Sequence, residues 1–470
     1  MSRMLDVDLC VIGAGSGGLS VAAGAVQLGK TVVLCERGEM GGDCLNTGCV
    51  PSKALIAAAS AAAAIRDAGK FGASAGAPIV DYAAVMAHVH SVIAEIAPHD
   101  SAERFEKLGC TVIRAGAEFT GPRQVRAGDA LVNARHFVIA TGSSPAVPPI
   151  DGLKDAPFFT NETIFSNAVK PRHLIVIGGG AVGIELGQAH RRLGCEVTIV
   201  EAARLLGAED EEAVEVLRAA LTREGVSLRE GAAVRRVARD SADILVDLGA
   251  ETLRGSHLLV AAGRTPNIEG LGLAKAGVGA DKRGVLVDER LRTANKRIFA
   301  IGDVAGGAYT HVAGDHASTV IRNLCFKTPA RRRDALSPRA VYAEPEIASI
   351  GLSEARAREK CGDGVRAVKW PFKDNDRAQA EKDIDGFAKI VTDGKGRILG
   401  AVIVGKGAGD QIAAVALAMA NKLKISAFTN MIAPYPTRSE APKRATGKWY
   451  GPALFSARTR RLVKLLASFD

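Results

Sequence analysis

The chain has 470 residues, enough for about three domains, and its 47% hydrophobic and 24% charged content is that of a globular protein rather than a disordered or fibrous one. Aromatic residues make up only 4%, and 52 glycines favour close-packed α/β turns over an aromatic-rich interaction surface. The net charge of +10 does not read as nucleic-acid binding, because residues 441–470 alone hold seven Lys or Arg against one acid and no reader motif accompanies them.

In chain order, the apolar strand Leu5–Ile12 runs straight into Gly13-Ala14-Gly15-Ser16-Gly17-Gly18, so no cleavable leader is expected. The turn fits G-x-G-x-x-G through Gly13, Gly15 and Gly18. A small-residue helix and the strand Thr31–Cys35 follow, and Glu36 lies 18 residues beyond Gly18. Glycines at this spacing permit a tight turn and let backbone approach a pyrophosphate at a helix N-terminus; the acid would accept hydrogen bonds from ribose hydroxyls.

The stretch Gly41–Lys53 comes next. It sets Cys44 and Cys49 five residues apart, with Lys53 one helical turn further on. A disulfide closing so short a loop is local, strained and readily reduced. Cys49 opens an expected helix whose N-terminal dipole favours a thiolate, and Lys53 shares its face. The competing reading is two free structural cysteines. The other six of the eight cysteines are scattered, which excludes a secreted disulfide framework and suggests a reducing, cytoplasmic compartment. The alanine-rich run Ala54–Ile65 is too short for a membrane span, and no apolar run is expected to reach the roughly 18 residues that one needs.

Phe137–Gly142 reads as a strand ending in a small-residue turn, and Pro145–Pro149 as a linker. The fingerprint then recurs. Leu174–Ile177 leads into Gly178-Gly179-Gly180-Ala181-Val182-Gly183, a helix, Val197–Val200 and Glu201, again 18 residues after the last glycine. Two complete fingerprints 165 residues apart predict two dinucleotide sites. Glu201 would repel a 2′-phosphate and so favours NADH, while Arg204 keeps NADPH possible. Leu258–Gly263 is a further strand and turn, and Arg297–Asp303 a strand ending in an aspartate. From about residue 336, short strands (Ala340–Tyr342, Ala348–Ser349, Ala388–Val391, Ile398–Val404) and an apolar helix near Gly409–Ala420 predict an α+β domain.

With these motifs in this order, the chain resembles the pyridine nucleotide-disulfide oxidoreductases with a C-x4-C centre, the family of dihydrolipoamide dehydrogenase, glutathione reductase and mercuric reductase, over essentially its whole length. The resemblance implies an α/β fold with two Rossmann-like dinucleotide-binding domains, for FAD and NAD(P), and a C-terminal α+β dimerisation domain. The divisions would be 1–150 (FAD-binding, first part), 151–270 (NAD(P)-binding), 271–335 (return to the FAD domain) and 336–470 (interface domain with a basic tail). It implies a homodimeric, cytoplasmic flavoenzyme of cell redox homeostasis. Electrons would pass from NAD(P)H through FAD to a Cys44–Cys49 disulfide, then to a disulfide, a thiol-bound metal or a similar small acceptor. No resident metal is implied. Cys49 would lie on the flavin and form the charge-transfer complex, and Cys44 would exchange with substrate. Lys53 would approach the flavin N5 and pair with Glu185. Gly116, Thr141, Gly142, Asp303 and Gly263 would add to the cofactor contacts of Gly13, Gly15, Gly18 and Glu36, and of Gly178, Gly180, Gly183 and Glu201. Ala181 stands where glutathione reductases tend to carry a tyrosine, which opens the nicotinamide pocket.

Three departures stand beside the resemblance. The family's His-Pro-Thr…Glu segment, which brings a thiol acid/base to the partner's site, reads here Ala433-Pro434-Tyr435-Pro436-Thr437-Arg438-Ser439-Glu440. Tyr435 replaces the histidine and Glu440 remains. A phenol with its ordinary pKa near 10 is a poor base at pH 7. All nine histidines lie at or before His316, so a substitute would have to be His311 or His316 from the flavin side. Tyrosine at this place resembles mercuric reductases, yet their C-terminal cysteine pair is missing, the last cysteine being Cys361. Finally, Arg458, Arg460 and Arg461 lead into Leu462, Leu465, Leu466 and Phe469 at helical spacing. This is either a terminal helix packed on the dimer or a basic amphipathic contact with an anionic membrane or membrane partner. Two other functions stay open: diaphorase-type reduction of quinones directly from flavin, and a partner-bound electron-transfer component or redox sensor.

Overall fold

The computed structural model describes residues 3–74, 76–307 and 309–469. It divides into two compact units. One comprises Met1–Asp67, Ala75–Ala203 and Leu228–Asp334; the other comprises Ala68–Ser74, Arg204–Ser227 and Ala335–Asp470.

The first unit is built on a sheet in the order Thr111–Ile113, Val32–Cys35, Arg3–Ile12, Ala130–Ile139, Gln124–Ala127, Ala117–Gly121, with Ile298–Ala300 also pairing Ala130–Ile139. Arg3–Ile12 runs parallel to both of its neighbours. Its apolar end is continuous rather than alternating because both faces are covered. Leu9 and Val11 turn toward Leu19, Val21 and Ala22 of the Ser16–Gln27 helix and Ala317 and Val320 of the Thr310–Cys325 helix. Cys10 and Ile12 turn the other way, into a core with Phe119, Val125 and Phe137. There the Phe119 and Phe137 rings meet edge to face at 5.2 Å.

A second parallel set follows in the same unit: Glu196–Glu201, His173–Ile177 and His257–Val260. The antiparallel strands Arg236–Asp240, Asp243–Asp247 and Thr252–Gly255 cover it, closing a core of Ile175, Ile177, Val237, Val246 and Leu258. The proline-rich segment Pro145–Pro149 begins at a strand end. Ser143–Pro145 pairs antiparallel with Arg264–Pro266, so two chain segments run side by side there.

The stretch Gly42–Phe71 does reach the length and mean hydropathy, 1.5, of a membrane span, contrary to the sequence expectation. The length comes from counting Gly42–Asn46, Cys49–Asp67 and Ala68–Phe71 as one helical stretch. Length and composition alone produce the match: the helix buries Pro51, Ala54, Leu55 and Ala59 within the unit and carries Lys53 in an ion pair.

The second unit holds a five-stranded antiparallel sheet in the order Arg339–Val341, Ile347–Gly351, Ile398–Val404, Phe387–Thr392, Arg366–Pro371. Arg366–Pro371 escaped the sequence reading, because a half-buried Arg-Ala-Val-Lys-Trp-Pro segment has a weak alternation. The helices Ala408–Ala420 and Glu440–Leu454 supply Ile412, Val415, Ala441 and Ala445 to the core on one face of this sheet. On the same unit, the buried Lys389 ammonium reaches Asp210 and Glu212, each at 2.9 Å.

Candidate active site

Both glycine turns have the same construction. Gly13 sits at φ +104°, and a Cβ there would lie 2.4 Å from the Ala140 carbonyl oxygen; a Cβ at Gly18 would lie 1.9 Å from the Gly13 oxygen. In the second turn Gly178 sits at φ +119° with 2.3 Å to the Ala261 oxygen, and a Cβ at Gly183 would be 2.0 Å from the Gly178 oxygen. The two middle glycines, Gly15 and Gly180, are extended at φ −78° and cap the following helices. A Cβ at Gly180 would meet nothing within 4 Å. The chain is thus drawn tight by the outer glycines, and each turn presents a helix N-terminus of the kind that receives a pyrophosphate; the space over Gly180 is open, whereas the Gly42 Cα stands 4.0 Å from where a Cβ on Gly15 would be.

The two acids brace these turns. Glu36 accepts hydrogen bonds from the Ala14 N–H at 2.6 Å and the Gly38 N–H at 2.7 Å. Glu201 accepts from the Gly179 N–H at 2.8 Å and the Ala203 N–H at 2.9 Å. Each carboxylate retains lone pairs for a ribose.

The cysteine segment is laid across the first turn. The Gly41 N–H donates to the Ala14 carbonyl at 2.9 Å, and a Cβ on Gly42 would lie 2.8 Å from the Gly15 Cα. Gly41, at φ +88°, caps the short helix Gly42–Asn46, and the Cys49–Asp67 helix begins at the second cysteine. Asp43 fastens the segment: its carboxylate accepts from the Thr47 hydroxyl at 2.7 Å and the Asn161 amide at 3.1 Å, and pairs with the Arg264 guanidinium at 3.1 Å.

Cys44 is half-buried and Cys49 exposed. The two thiols lie within hydrogen-bonding reach of each other, and the pair is polarised. The hydrogen bond from Cys44, the Thr310 hydroxyl 3.4 Å away and the Lys53 ammonium bring Cys49 down to about 6. The same contact with Cys49, together with burial, pushes Cys44 well up. At neutral pH the charge therefore resides on Cys49. Lys53 makes a 2.7 Å ion pair with Glu185, which is buried on the Ala181–Arg192 helix after the second glycine turn.

Thr141 donates its hydroxyl to the Asn267 carbonyl at 2.7 Å, and Gly142 accepts from the Asn267 N–H at 3.0 Å. Asp303 accepts from the Ser143 hydroxyl and lies 3.7 Å from the Arg264 Nε. Gly116 lies between the strands Thr111–Ile113 and Ala117–Gly121, and Gly263 at the end of His257–Val260 with open space where a Cβ would stand. His316 is unsuited to thiol chemistry. It is wholly buried, with Nδ1 accepting from the Gly302 N–H at 3.2 Å and Nε2 held by Asp334 at 3.1 Å, so it pins the turn that presents Asp303. His311 stacks on Tyr309, the ring centroids 5.6 Å apart.

In the second unit Tyr435 is 68% exposed and donates its hydroxyl to the Asp376 carboxylate at 2.9 Å. That bond, and the Asp376 charge, push the phenol further up. Glu440 opens the Glu440–Leu454 helix and faces Arg444 at 3.5 Å. Sequence reasoning missed Asp43, Asn161, Arg264, Thr310 and Asp376. Most of the contacts that place them span 59 to 261 residues of chain, so no local pattern marks them. Among the described residues no group of three or more His, Cys, Asp or Glu is placed to hold a metal ion.

Comparison with known proteins agrees with this geometry. Residues 7–318 match the family described as pyridine nucleotide-disulphide oxidoreductase, and residues 337–446 match its dimerisation domain. The chain is 36% identical over 451 residues to a mercuric reductase of Streptomyces lividans, covering 93% of this chain and 95% of that protein. It is 37% identical over 452 residues to a dihydrolipoyl dehydrogenase of Thermus scotoductus, covering 93% and 96%. Among solved structures, the HOCl-induced flavoprotein disulfide reductase RclA from Escherichia coli superposes with a TM-score of 0.84 at 26% identity, over 93% of this chain and 99% of that one. LpdA from Mycobacterium tuberculosis gives 0.86 at 26% identity over 95% and 99%.

Proposed function

The chain belongs to the pyridine nucleotide-disulphide oxidoreductase family, and from that premise we propose that it is an NADH-dependent reductase working through the Cys44–Cys49 pair on a disulfide or thiol-bound metal. The observation that carries this reading is the polarised pair itself, laid over the first glycine turn with the Lys53–Glu185 ion pair beside it. FAD held by Gly13, Gly15, Gly18, Glu36, Gly116, Thr141, Gly142 and Asp303 would supply hydride acceptance from nicotinamide and two-electron transfer to sulfur. The nicotinamide nucleotide is assigned to Gly178, Gly180, Gly183, Glu201 and Gly263.

The chain's own residues handle charge and protons. NADH and the disulfide give NAD⁺, one thiolate and one thiol; one proton from solvent would complete the dithiol. Cys49, at a helix N-terminus and near Lys53, holds the negative charge. Cys44 holds its proton in the hydrogen bond to Cys49 until the acceptor arrives, then passes it to the Cys49 thiolate and attacks as the outer sulfur. Glu185 fixes the Lys53 ammonium. Tyr435 and Glu440 are assigned to the segment that meets the partner's redox pair in the homodimer. With its hydroxyl proton committed to Asp376, Tyr435 offers an acceptor oxygen rather than a base. This suits a thiol-bound metal better than a thiol exchange that needs proton shuttling.

NADH over NADPH is supported by Arg204. Its guanidinium pairs with Glu211 and donates to the Gly207 and Glu209 carbonyls, so it is occupied by its own loop. The free buried thiols of Cys10, Cys35, Cys110 and Cys195 support a reducing, cytoplasmic setting. The nucleotide portions are assigned to 1–150, 151–270 and 271–335, and the interface domain to 336–470.

Cys44→Ser tests the proposal. Turnover with disulfide or thiol-bound Hg(II) is expected to fall by more than about a thousandfold, since removing a covalent nucleophile costs on the order of 10⁶ in kcat in a serine protease, while NADH still bleaches the flavin. Retained turnover would leave direct flavin-to-acceptor reduction as the function. An anaerobic NADH titration of the native enzyme without long-wavelength thiolate absorbance would remove the Cys49 assignment.

A further inference from the structure

The helix Ala457–Leu466 lies beyond the residues matched to the dimerisation family, which end at 446. It is a well-formed element. Ser456 caps it, accepting from the Thr459 N–H at 3.2 Å, and the Arg460 guanidinium reaches back to the Phe455 carbonyl at 3.0 Å. Yet none of its residues is buried. Leu462, Val463 and Leu466 fall within one face of a 3.6-residue turn and are each more than half exposed. Leu454 and Phe455 before the helix, and Phe469 after it, are exposed as well. Leu465, also exposed, widens this apolar side; Arg460, Arg461 and Lys464 take the other side, and Arg458 falls within the apolar side one turn before Leu462.

Charge selects the occupant. From Ala441 to Phe469 the chain has seven Lys or Arg and no acid, and the whole chain is +10. A second copy would bring the same positive helix and a positive body. A polyanion without an apolar phase, such as a nucleic acid, would satisfy the cations and leave Leu462, Val463, Leu466 and Phe469 in water. A bilayer with anionic headgroups answers both faces at once: apolar side chains enter the headgroup–acyl boundary, while the arginine and lysine stems rise to the phosphates.

We propose that Ala457–Leu466, with Phe455 and Phe469, is a reversible docking element for anionic membrane surfaces, which would place the reductase beside membrane-bound or lipid-phase acceptors. The site chemistry is untouched by this element, so its failure would leave the redox assignment standing.

The test uses the flavin-loaded full chain in flotation with vesicles of phosphatidylcholine, with or without phosphatidylglycerol. The protein is expected to float with the phosphatidylglycerol vesicles only, and to be released by about 0.5 M salt, where screening shortens to a few ångströms. Arg460→Glu with Arg461→Glu, and separately Leu462→Glu with Leu466→Glu, are each expected to reduce vesicle binding at least about tenfold. Both variants should keep their flavin, their dimeric mass and their activity with soluble acceptors. No flotation with phosphatidylglycerol vesicles overturns the proposal. So does undiminished binding by both variants, or dissociation of the leucine variant into monomers, which would mean that a second copy covers this face.

Discussion

The two glycine turns repeat one local design and differ in what lies over the middle glycine. At Gly15 the chain itself returns, with Gly41 bonded to Ala14 and Gly42 against Gly15. At Gly180 nothing of the protein stands within 4 Å of where a Cβ would be. On the proposed assignment this difference would separate a resident cofactor from a passing one: a nucleotide under the Gly41–Lys53 segment would be enclosed by the residues it reduces, whereas one at the second turn would face open space and be free to leave after each turnover.

The sharpest way to break this contrast is to fill the same glycine in each turn. Gly18→Ala forces a methyl to 1.9 Å from a backbone oxygen, and Gly183→Ala to 2.0 Å. The first variant is expected to purify without flavin. The second should stay yellow while its KM for NADH rises about a hundredfold or more, read by steady-state kinetics and by flavin absorbance. Loss of the same cofactor from both would erase the distinction. Next in size is Glu185→Gln, which leaves Lys53 without its carboxylate. Flavin reduction in a single turnover is expected to slow by about tenfold, the worth of one charge-assisted hydrogen bond, with both nucleotides still bound.

Acidity gives a smaller, graded test. A group held at about 6 is charged above that pH and neutral below it, so the thiolate absorbance of the reduced enzyme should vanish as pH falls through about 6. Thr310→Ala and Lys53→Met each remove a cause of the lowering and should move the midpoint upward. The smallest effect is expected from Arg204→Ala. Because its guanidinium is bound within its own loop, the ratio of kcat/KM for NADH to that for NADPH should change by less than about twofold, a difference below ~0.4 kcal/mol.

Both turns, both acids, the cysteine pair and Lys53 were legible because each is a contiguous pattern forced by a backbone path or a helical turn. The parallel sheet was legible from Leu9–Ile12 and Leu174–Ile177, since strands buried on both faces read as unbroken apolar runs. The fastening of the site was not. Asp43 meets Asn161 and Arg264 only after more than a hundred intervening residues have folded, and Thr310 reaches Cys49 across 261. Polar contacts at such separations obey no period. The apolar count over Ala54–Ile65 understates the run Gly42–Phe71, because the helical continuity that gives the run its spanning length is not itself an apolar pattern. His316 shows a third limit: its burial and its bond to Gly302 depend on tertiary neighbours, and sequence position alone made it look available.

The paired strands Ser143–Pro145 and Arg264–Pro266 carry a mechanical consequence. A single flexible strand would let the two nucleotide modules swing like a clamshell, and closure would then gate every turnover. A hydrogen-bonded ribbon, locked further by Arg264 to the Ser143 hydroxyl and carbonyl at 2.7 Å, behaves as a splint. With both nucleotides held at the two turns as proposed, the spacing that hydride crosses would be set at folding, and added solvent viscosity should slow nucleotide arrival while leaving the transfer itself indifferent.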